Sequence, residues 1–328
     1  MFRKFSRKPC VIEYEKYTEK GYDSDERAHR KCIEGYYRVS QPERFKVIGS
    51  RRWGDEIDAN YNPPRFTDSS VLMDPTTMKK PIWADLPESQ LFNVLWNQED
   101  ELDGRKVNRK SFECDYIVGP ACKADLGRCN LPLNPKGKTG IVGRGILGRW
   151  GPNHAADPIV TRWNLKNDGT KVLQFVAIKR GDNGEWAIPG GMVEPGENVS
   201  QTLIKEFCEE ALGIWEEESK DISLETREEK RTEIVNELKE FFEETGVKIY
   251  SGYVDDPRNT DNAWVETTVF NFHETDSKTV SKYNLRAGDD AINVKWMNID
   301  ECQQLYASHL DFVRMVAEKH VVPMNTDL

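Results

Sequence analysis

The chain has 328 residues, of which 38% are hydrophobic and 31% are charged, and its formal net charge is −10. This composition is typical of a globular protein with enough apolar material for one large domain or two ordinary ones. The negative charge argues against nucleic acid or an anionic membrane surface as the main partner. Seven cysteines, an odd number without a C-x-x-C pair, argue against a disulfide framework and favour a reducing compartment.

The first ten residues, MFRKFSRKPC, are basic and resemble the front of a mitochondrial presequence. Glu13, Glu15 and Glu19 follow too early for an acid-poor transit peptide. No stretch approaches the roughly 20 apolar residues that a membrane span needs. We therefore expect a cytoplasmic monomer that binds neither membranes nor nucleic acid, with a mitochondrial location as the alternative.

The character of the sequence changes near residue 138. Residues 1–137 are rich in Pro, Trp, Tyr and Asn and lack long periodic runs, which predicts a loop-rich N-terminal accessory domain. Residues 138–328 alternate between strand-like and helix-like segments, which predicts a second domain of α/β (α+β) class, with a mixed sheet between helical layers. Its predicted strands are 145–150, 171–179, 247–254, 264–273 and 291–297, and its predicted helices are 199–212, 222–244, 298–305 and 309–319.

The most informative segment is GGMVEPGENVSQTLIKEFCEEAL (190–212). Glu206, Glu209 and Glu210 fall on one helical arc about 100° wide, because residues i, i+3 and i+4 share a face. A cation relieves the repulsion among such carboxylates, and hard oxygen ligands suit Mg²⁺ bound together with phosphates. An acidic arc alone is usually a solvated face. Here it follows a Gly-Gly turn (190–191) that lets the backbone approach a ligand closely, so we interpret the segment as a metal site for phosphate chemistry.

This segment resembles the box of the Nudix hydrolase family, G-x5-E-x7-R-E-U-x-E-E-x-G-U, in which U is a bulky apolar residue. The positions that fit at the required spacing are Gly191, Glu197, Glu206, Phe207, Glu209 and Glu210. Lys205 stands where the family has Arg, and its ammonium group cannot offer Glu209 the bidentate fork of an Arg. Leu212 stands where the family has Gly, although Gly213 can serve as the helix C-cap. The resemblance implies the Nudix fold and metal-dependent diphosphate hydrolysis, with turnover lowered by Lys205.

A second polar cluster, DDPRNTDNAW (255–264), lies between two predicted strands. A hairpin loop built from turn formers is the plain interpretation. A nucleotide sugar, however, needs an Arg for phosphate, a carboxylate or amide for ribose hydroxyls and an aromatic ring for the base. Because this segment offers all three, it is a candidate substrate-binding loop.

With this loop the resemblance narrows to the two-domain ADP-ribose pyrophosphatase branch, which is related to the ADP-ribose-binding domain of a melastatin-type cation channel. The motifs that carry it are GRWGPNHAADP (148–158), the 255–264 loop, AGDDA (287–291), VKW (294–296) and LYASH (305–309). The resemblance implies hydrolysis of ADP-ribose to AMP and ribose 5-phosphate. It implies that the substrate is bound by Asp256, Arg258, Tyr306 and His309. The predicted set of substrate-binding residues is completed by Arg149 and Trp264. Without it, Tyr306 and His309 would be interpreted as packing and capping residues.

The resulting hypothesis divides the box residues between catalysis and metal binding. Catalysis is assigned to Glu197, Glu206, Glu209 and Glu210, and the metal to Glu206, Glu209, Glu210 and Gly190, with Mg²⁺ as cofactor and Mn²⁺ as a substitute. The general base is left open among Glu197, Glu209 and Glu266. Two other functions also stay open: a sensor that binds ADP-ribose without cleaving it, and a Nudix hydrolase of another nucleoside diphosphate derivative.

Overall fold

A seven-stranded mixed sheet is the core of the C-terminal half of the protein. The computed structural model describes residues 31–33, 37, 42–48, 50–54, 56–212, 224–276, 278–288 and 291–321. The strands of the sheet are β7 (Gly151–Leu165), β8 (Lys171–Arg180), β9 (Trp186–Ala187), β10 (Gly191–Met192), β11 (Val247–Tyr253), β12 (Ala263–Glu274) and β13 (Ala291–Asn298). Their order is β11-β12-β7-β8-β13, with β10 beside β7 and β9 beside β8. The predicted α/β (α+β) class with a mixed sheet is confirmed.

The two central strands, β7 and β12, place the functional segments of the chain side by side. They run parallel and pair over 151–162 and 263–274. Both strands are buried along nearly all of this length, as expected for parallel strands that are covered on both faces. Successive side chains point to opposite faces, so Ile159 belongs to one apolar cluster and Val160 to the other.

The described residues form four α-helices, of which the last three accompany the sheet: α1 (Ser69–Leu72), α2 (Val199–Glu206), α3 (Leu224–Thr245) and α4 (His309–Lys319). The α4 side chains Phe312 and Val316 pack on the face of the sheet that contains Ile159. The helices α2 and α3 contribute Leu203 and Leu238 to the opposite cluster. The two helical layers therefore meet the two faces of the same sheet. Within the described ranges, no helix has the length and apolar character needed to cross a bilayer.

The box helix begins with a capping box and changes type at its end. The Asn198 side chain accepts a hydrogen bond from the Gln201 N–H, and the Gln201 side chain accepts one from the Asn198 N–H. After α2 the chain continues as a π-helical turn (Phe207–Ala211). The helix predicted over 199–212 is thus correct in extent but not in type, since a π turn holds more residues than an α turn and is common at functional sites. Gly213, the predicted C-cap, lies outside the described residues.

Within its described residues, the N-terminal half contains only short elements. In addition to α1, these are β1 (Arg65–Thr67), β2 (Glu99–Leu102), β3 (Arg105–Asn108), β4 (Val118–Gly119), β5 (Leu131–Pro132) and β6 (Val142–Gly145). The strands β2 and β3 form an antiparallel hairpin, and β1 pairs in parallel with β6. The predicted domain boundary between residues 137 and 138 stays a prediction.

Two predicted elements are wrong. The strand predicted over 145–150 is mostly a turn, closed by a hydrogen bond from Leu147 N–H to the Arg144 carbonyl, and the long strand β7 follows it. The helix predicted over 298–305 is only a 3₁₀ turn (Ile299–Glu301). The other predicted strands and helices are confirmed to within two residues at each described end. Residues 222–223 of the second predicted helix lie outside the described part of the chain.

Candidate active site

The first half of the candidate site, the box half, consists of the turn at 190–191 and the carboxylates that follow it on α2 and the π turn. The Gly190 N–H donates a hydrogen bond to Glu210 Oε2 at 2.9 Å. A Cβ atom on Gly191 would lie 2.3 Å from the carboxyl carbon of Glu206, so a side chain at this position would displace that carboxylate. The Gly-Gly turn therefore packs directly against two of the predicted metal ligands.

Both of these carboxylates are buried, with 8% of Glu206 and 6% of Glu210 exposed. Burial raises the pKa of Glu210 to about 8; the Gly190 N–H opposes this shift and the negative charge of Glu206 adds to it. Two acidic groups that repel each other in a place with little water favour either a bound proton or a bound cation. The local charge of the box half thus changes at near-neutral pH.

Asp157 is a third acidic residue of this region, and it was not singled out from the sequence. It lies on β7, is 6% exposed, and accepts a hydrogen bond from the Thr267 hydroxyl at 2.5 Å. A Cβ atom on Gly190 would lie 2.0 Å from Asp157 Oδ1. Burial raises the pKa of Asp157 to about 7, and its charge also interacts with that of Glu210. The only signal in the sequence was an acidic residue within an apolar strand of the 148–158 motif.

The predicted metal site of Glu206, Glu209 and Glu210 stays a prediction. Among the described residues, no group of three or more His, Cys, Asp or Glu side chains lies close enough to hold a metal ion. The π turn alters the rotation between Glu206 and Glu209 that an α-helix would give. The buried pair Glu206 and Glu210 nevertheless fits Mg²⁺ in its chemistry, because this ion commonly uses one or two carboxylates and completes its shell with waters and substrate phosphates.

Lys205 and Glu197 hold the turn that precedes the box helix. The Glu197 carboxylate accepts hydrogen bonds from the Glu194 N–H at 3.2 Å and the Thr202 hydroxyl at 3.0 Å, and Lys205 Nζ lies 3.5 Å from Glu197 Oε1. Burial by itself would lower the pKa of Lys205, but Glu194, Glu197 and neighbouring carboxylates raise it. The bonds of Glu197 are those of a residue that shapes the turn, and its predicted catalytic role stays a prediction.

The second half of the site, the loop half, brings Tyr306 and His309 to the loop 255–262. Arg258 donates to both Asp256 oxygens, from Nε and from Nη2, each at 2.8 Å, and the Tyr306 hydroxyl donates to Asp256 Oδ2 at 3.3 Å. His309 Nδ1 accepts a hydrogen bond from the Ile188 N–H at 3.1 Å, just before the Gly-Gly turn. The structure therefore brings together four residues that were predicted from separate parts of the sequence.

The charges in the loop half are fixed over a wide pH range. Burial lowers the pKa of His309 to about 3, with a further contribution from the positive charge of Arg180, so the imidazole is neutral at pH 7. Burial alone would raise the pKa of Asp256, but the guanidinium of Arg258 holds it below its usual value. The loop half thus presents one buried ion pair, a neutral imidazole and a phenol hydroxyl.

Residues near the N-terminus fix this loop from outside. Arg44 Nη2 donates to the carbonyls of Pro257 at 2.7 Å and Asn259 at 3.0 Å. The Tyr37 hydroxyl donates to the Arg258 carbonyl at 2.7 Å. Both side chains are buried, and both lie before the first predicted motif. The loop half thus depends on contacts that no local sequence pattern predicts.

Arg180, at the end of β8, contacts the loop half of the site and acts electrostatically on the box half. Its guanidinium carbon is 4.3 Å from the centre of the Tyr306 ring, and Nε and Nη2 each donate to Asp182 at 3.0 Å. It is close enough to Glu210 and Asp256 to interact electrostatically with both. Its position in a hairpin turn gave no signal in the sequence.

Trp264 and Glu266 lie in the core instead of the site. Trp264 is fully buried, its ring makes an edge contact with Tyr116 at 5.2 Å, and its Nε1 donates to Glu266 Oε1 at 2.7 Å. The Glu266 carboxylate also accepts from the Phe112 N–H at 2.6 Å and is itself fully buried. Trp264 was therefore wrongly predicted to contact the substrate base, and Glu266 was wrongly considered as a base for water. The cause is the pleat of β12, which turns both side chains towards the same covered face.

Arg149 contacts the turn after the Gly-Gly pair. The side chain is 6% exposed and its Nη2 donates to the Val193 carbonyl at 2.8 Å, while Nε is buried without a partner. Its predicted part in substrate binding stays a prediction.

Two protein families match separate parts of the chain. The "NUDT9-like, N-terminal domain" matches residues 50–151, and the "NUDIX domain" matches residues 158–233. Over 308 residues, the chain is 45% identical to the rat protein named "ADP-ribose pyrophosphatase, mitochondrial", covering 89% of this chain and 78% of the relative. It is 46% identical over 299 residues to the Caenorhabditis elegans protein named "Putative nudix hydrolase 6", covering 89% of this chain and 98% of the relative.

A third relative is a much longer protein. The Nematostella vectensis "Transient receptor potential cation channel subfamily M member-like 2" is 41% identical over 296 residues, which are 88% of this chain and 18% of the channel. Taken with the two domain matches and the two shorter relatives, this similarity defines the class of protein. The chain belongs to the Nudix hydrolase family, as the box in its sequence predicted.

Proposed function

We propose that this protein hydrolyses the diphosphate of ADP-ribose to AMP and ribose 5-phosphate with the help of a divalent cation. The observation that carries the proposal is the arrangement of two different half-sites around one turn. The buried carboxylates Glu206 and Glu210 contact the Gly-Gly turn, and His309 binds the Ile188 N–H just before that turn. The names of the rat and worm relatives support the same reaction class.

Glu206 and Glu210 are the proposed residues that hold the cation, Mg²⁺ or Mn²⁺ as a substitute. When bound, such an ion supplies charge neutralisation of the phosphate oxygens and lowers the pKa of a bound water. Glu210 must lose its proton before it can ligate, since its pKa in the metal-free protein is raised to about 8 by burial. Gly190 keeps the carboxylate oriented through its N–H.

Glu209 is the proposed general base. Glu197 is occupied by the Glu194 N–H, the Thr202 hydroxyl and Lys205, and Glu266 is fully buried. Glu209 is half-buried on the π turn, so its carboxylate can meet a water molecule. In the proposed step the water oxygen bonds to one phosphorus, the bond from that phosphorus to the bridging oxygen breaks, and the water proton passes to Glu209.

The loop half is proposed to bind the substrate away from the reacting bond. Tyr306 and the Asp256–Arg258 pair offer hydroxyl, carboxylate and guanidinium groups, a set that suits ribose hydroxyls and phosphate. The neutral His309 offers an imidazole beside them. Trp264 takes no part in base recognition because it is fully buried.

Product analysis tests the proposal. The protein is incubated with ADP-ribose and Mg²⁺, the nucleotides are separated, and the shift in thermal unfolding temperature is recorded in parallel. We expect AMP and ribose 5-phosphate in equal amounts. Intact ADP-ribose without any stabilisation of the protein would contradict the proposed substrate.

A binding protein without activity is the second candidate function. It is favoured by Lys205, which stands in the place of the Arg of the family box. It is also favoured by the 41% sequence identity to a cation channel over 88% of this chain. Stabilisation by ADP-ribose without release of AMP is the result that this candidate predicts. The carboxylates of the box are all present, which favours the hydrolase.

The cellular compartment is part of the proposal. The cytoplasmic expectation competes with the mitochondrial alternative, and the name of the rat relative supports the latter. Imaging of the protein with a C-terminal fluorescent tag, together with a mitochondrial dye, distinguishes the two.

A further inference from the structure

We propose that Arg180 binds the diphosphate of the substrate, and that Asp182 and the Tyr306 ring hold its guanidinium ready in the free protein. The inference rests on the proposed function, because it concerns the same site. Arg180 was not among the residues predicted from the sequence, and it lies outside the box and the 255–264 loop.

The position of Arg180 is fixed from two sides. Its Nε and Nη2 donate to the two Asp182 oxygens, each at 3.0 Å, and its guanidinium carbon lies 4.3 Å from the centre of the Tyr306 ring. A cation over an aromatic face is held by the ring quadrupole. Tyr306 is itself tied to the hairpin, since its N–H donates to the Trp186 carbonyl at 2.9 Å. The guanidinium is therefore kept beside the substrate-binding residues.

Arg180 contacts the loop half directly, through the Tyr306 ring at 4.3 Å, and its charge also acts on the box half. It interacts electrostatically with Glu210 and Asp157 of the box half and with Asp256 and His309 of the loop half. A diphosphate that joins a nucleoside to a second ribose must lie between the group that cleaves it and the groups that bind its ends. Arg180 is a cation in that position.

Arg258 is less suited to this task. Its N–H, Nε and Nη2 all donate to Asp256 at 2.8 Å, and the Asp256 side chain is almost fully buried. Releasing Arg258 would leave a buried carboxylate without its partner, which is strongly unfavourable. The two arginines therefore differ: Arg258 can contact the substrate only while it stays paired with Asp256, whereas Arg180 can exchange Asp182 for an anion.

The partner of Arg180 can be exchanged at little cost. The Asp182 side chain is 42% exposed and the Arg180 side chain 22% exposed, and ion pairs of this kind contribute little to stability. A diphosphate offers Arg the same bidentate geometry with more negative charge. When the substrate binds, the Asp182 carboxylate becomes hydrated and the Arg180 guanidinium donates its hydrogen bonds to the phosphates instead.

A purely structural role for the pair is the competing explanation. The β8–β9 hairpin is also closed by backbone bonds, from Arg180 N–H to the Glu185 carbonyl at 2.9 Å and from Gly184 N–H to the Arg180 carbonyl at 3.0 Å. If the ion pair only stabilised this turn, removing either partner would have the same effect. If Asp182 gives way to phosphate, only the substitution of Arg180 raises KM.

Steady-state kinetics with ADP-ribose distinguishes these explanations. We expect Arg180→Gln to raise KM roughly 10- to 100-fold with kcat within about fivefold of the original value, since a charged bidentate contact is lost. Arg180→Lys keeps the charge without the fork, so its KM should lie between the two. Asp182→Asn should leave KM unchanged or lower it by up to about threefold, because the competing carboxylate is neutralised. An unchanged KM in Arg180→Gln, or an equal rise in both Arg180→Gln and Asp182→Asn, would overturn the proposal.

A binding experiment separates this inference from the choice of substrate. Thermal unfolding of each folded variant is followed with and without inorganic pyrophosphate in the presence of Mg²⁺. We expect pyrophosphate to stabilise the original protein and Asp182→Asn, and to stabilise Arg180→Gln clearly less. If the protein does not cleave ADP-ribose, the proposed function is wrong. The pyrophosphate measurement still shows whether Arg180 binds a diphosphate. Equal stabilisation of all three proteins would contradict the role of Arg180.

Discussion

The box half and the loop half of the candidate site are held together in different ways. In the box half, the Gly190 N–H and Glu210 are 20 residues apart, and the capping bonds between Asn198 and Gln201 span three. In the loop half, Tyr37 is hydrogen-bonded to Arg258, which is 221 residues away in the sequence, and Arg44 to Asn259, which is 215 residues away. A nearly self-contained segment supplies the proposed chemistry, whereas the proposed binding surface exists only when distant parts of the chain have assembled. Changes in the two halves should therefore have different consequences.

The largest effect is expected in the box half. Glu206→Gln should lower kcat at least ~100-fold, since it removes one of the two buried charges proposed to hold the cation, and losses of this size are typical for such groups. The variant should fold normally, because Gln has nearly the same shape. The measurement is the rate of AMP release from ADP-ribose.

The matched control for this prediction is Glu228→Gln, which changes an exposed acid on α3. It should leave kcat unaltered. A Glu206→Gln variant with a near-normal rate would remove the box carboxylates from the proposed mechanism.

The next effect is expected in the support of the loop half. Arg44→Ala should lower the free energy of unfolding by about 2–4 kcal/mol, because the buried carbonyl of Asn259 and the partly buried carbonyl of Pro257 lose their donor. Urea denaturation measures this change. Arg314→Ala, which removes an exposed pair with Asp311, is the control and should cost less than about 0.5 kcal/mol. Equal losses in the two variants would mean that Arg44 gives the loop no special support.

The pH dependence of stability should also distinguish the halves. In the metal-free protein the pKa of Glu210 is about 8, above its usual 4.5, so between these values the folded state binds more protons than the unfolded state. Stability contributed by this proton is therefore complete below pH 4.5 and is lost as the pH rises towards 8. The size of the loss is on the order of 1 kcal/mol or more, since one pKa unit corresponds to about 1.4 kcal/mol.

Glu210→Gln tests this dependence. The variant should lose less stability than the original protein between pH 5 and 8, as measured by urea denaturation in a chelating buffer. Asp157, whose pKa is raised to about 7 by burial, contributes a remaining decline in both proteins. Parallel pH profiles of the two proteins would show that Glu210 does not hold a proton in the folded state.

The smallest effect is expected for Lys205→Arg. An Arg fork can bind the Glu197 and Glu206 carboxylates bidentately, which holds the box turn more rigidly than an ammonium group does. We expect kcat to rise by less than about fivefold, with KM unchanged, because positioning effects of one contact are modest. A lower kcat would indicate that the lysine suits this site better than the family residue.

Sequence patterns predicted the box half better than the loop half for a physical reason. Helical spacing places Glu206 and Glu210 close together, and the Gly-Gly turn leaves room for their carboxylates. Local sequence patterns were therefore enough to predict this half of the site. Trp264 was misplaced because the face of a strand on which a side chain lies depends on register with distant strands. Asp157 and Arg180 are brought to the site by strands of the sheet, and neither lies in a distinctive local sequence pattern. The spacing of the acids likewise did not indicate the change from α to π helix after Glu206.

The most direct test of the division between the halves is the affinity of the Glu206→Gln variant for ADP-ribose. Calorimetric titration in the presence of Mg²⁺ is suitable because this variant should not consume the ligand. If the loop half supplies most of the binding and the box half the chemistry, affinity should stay within about tenfold of the original KM while AMP release falls at least ~100-fold. Loss of ADP-ribose binding together with cleavage, in a variant that is still folded, would contradict this account.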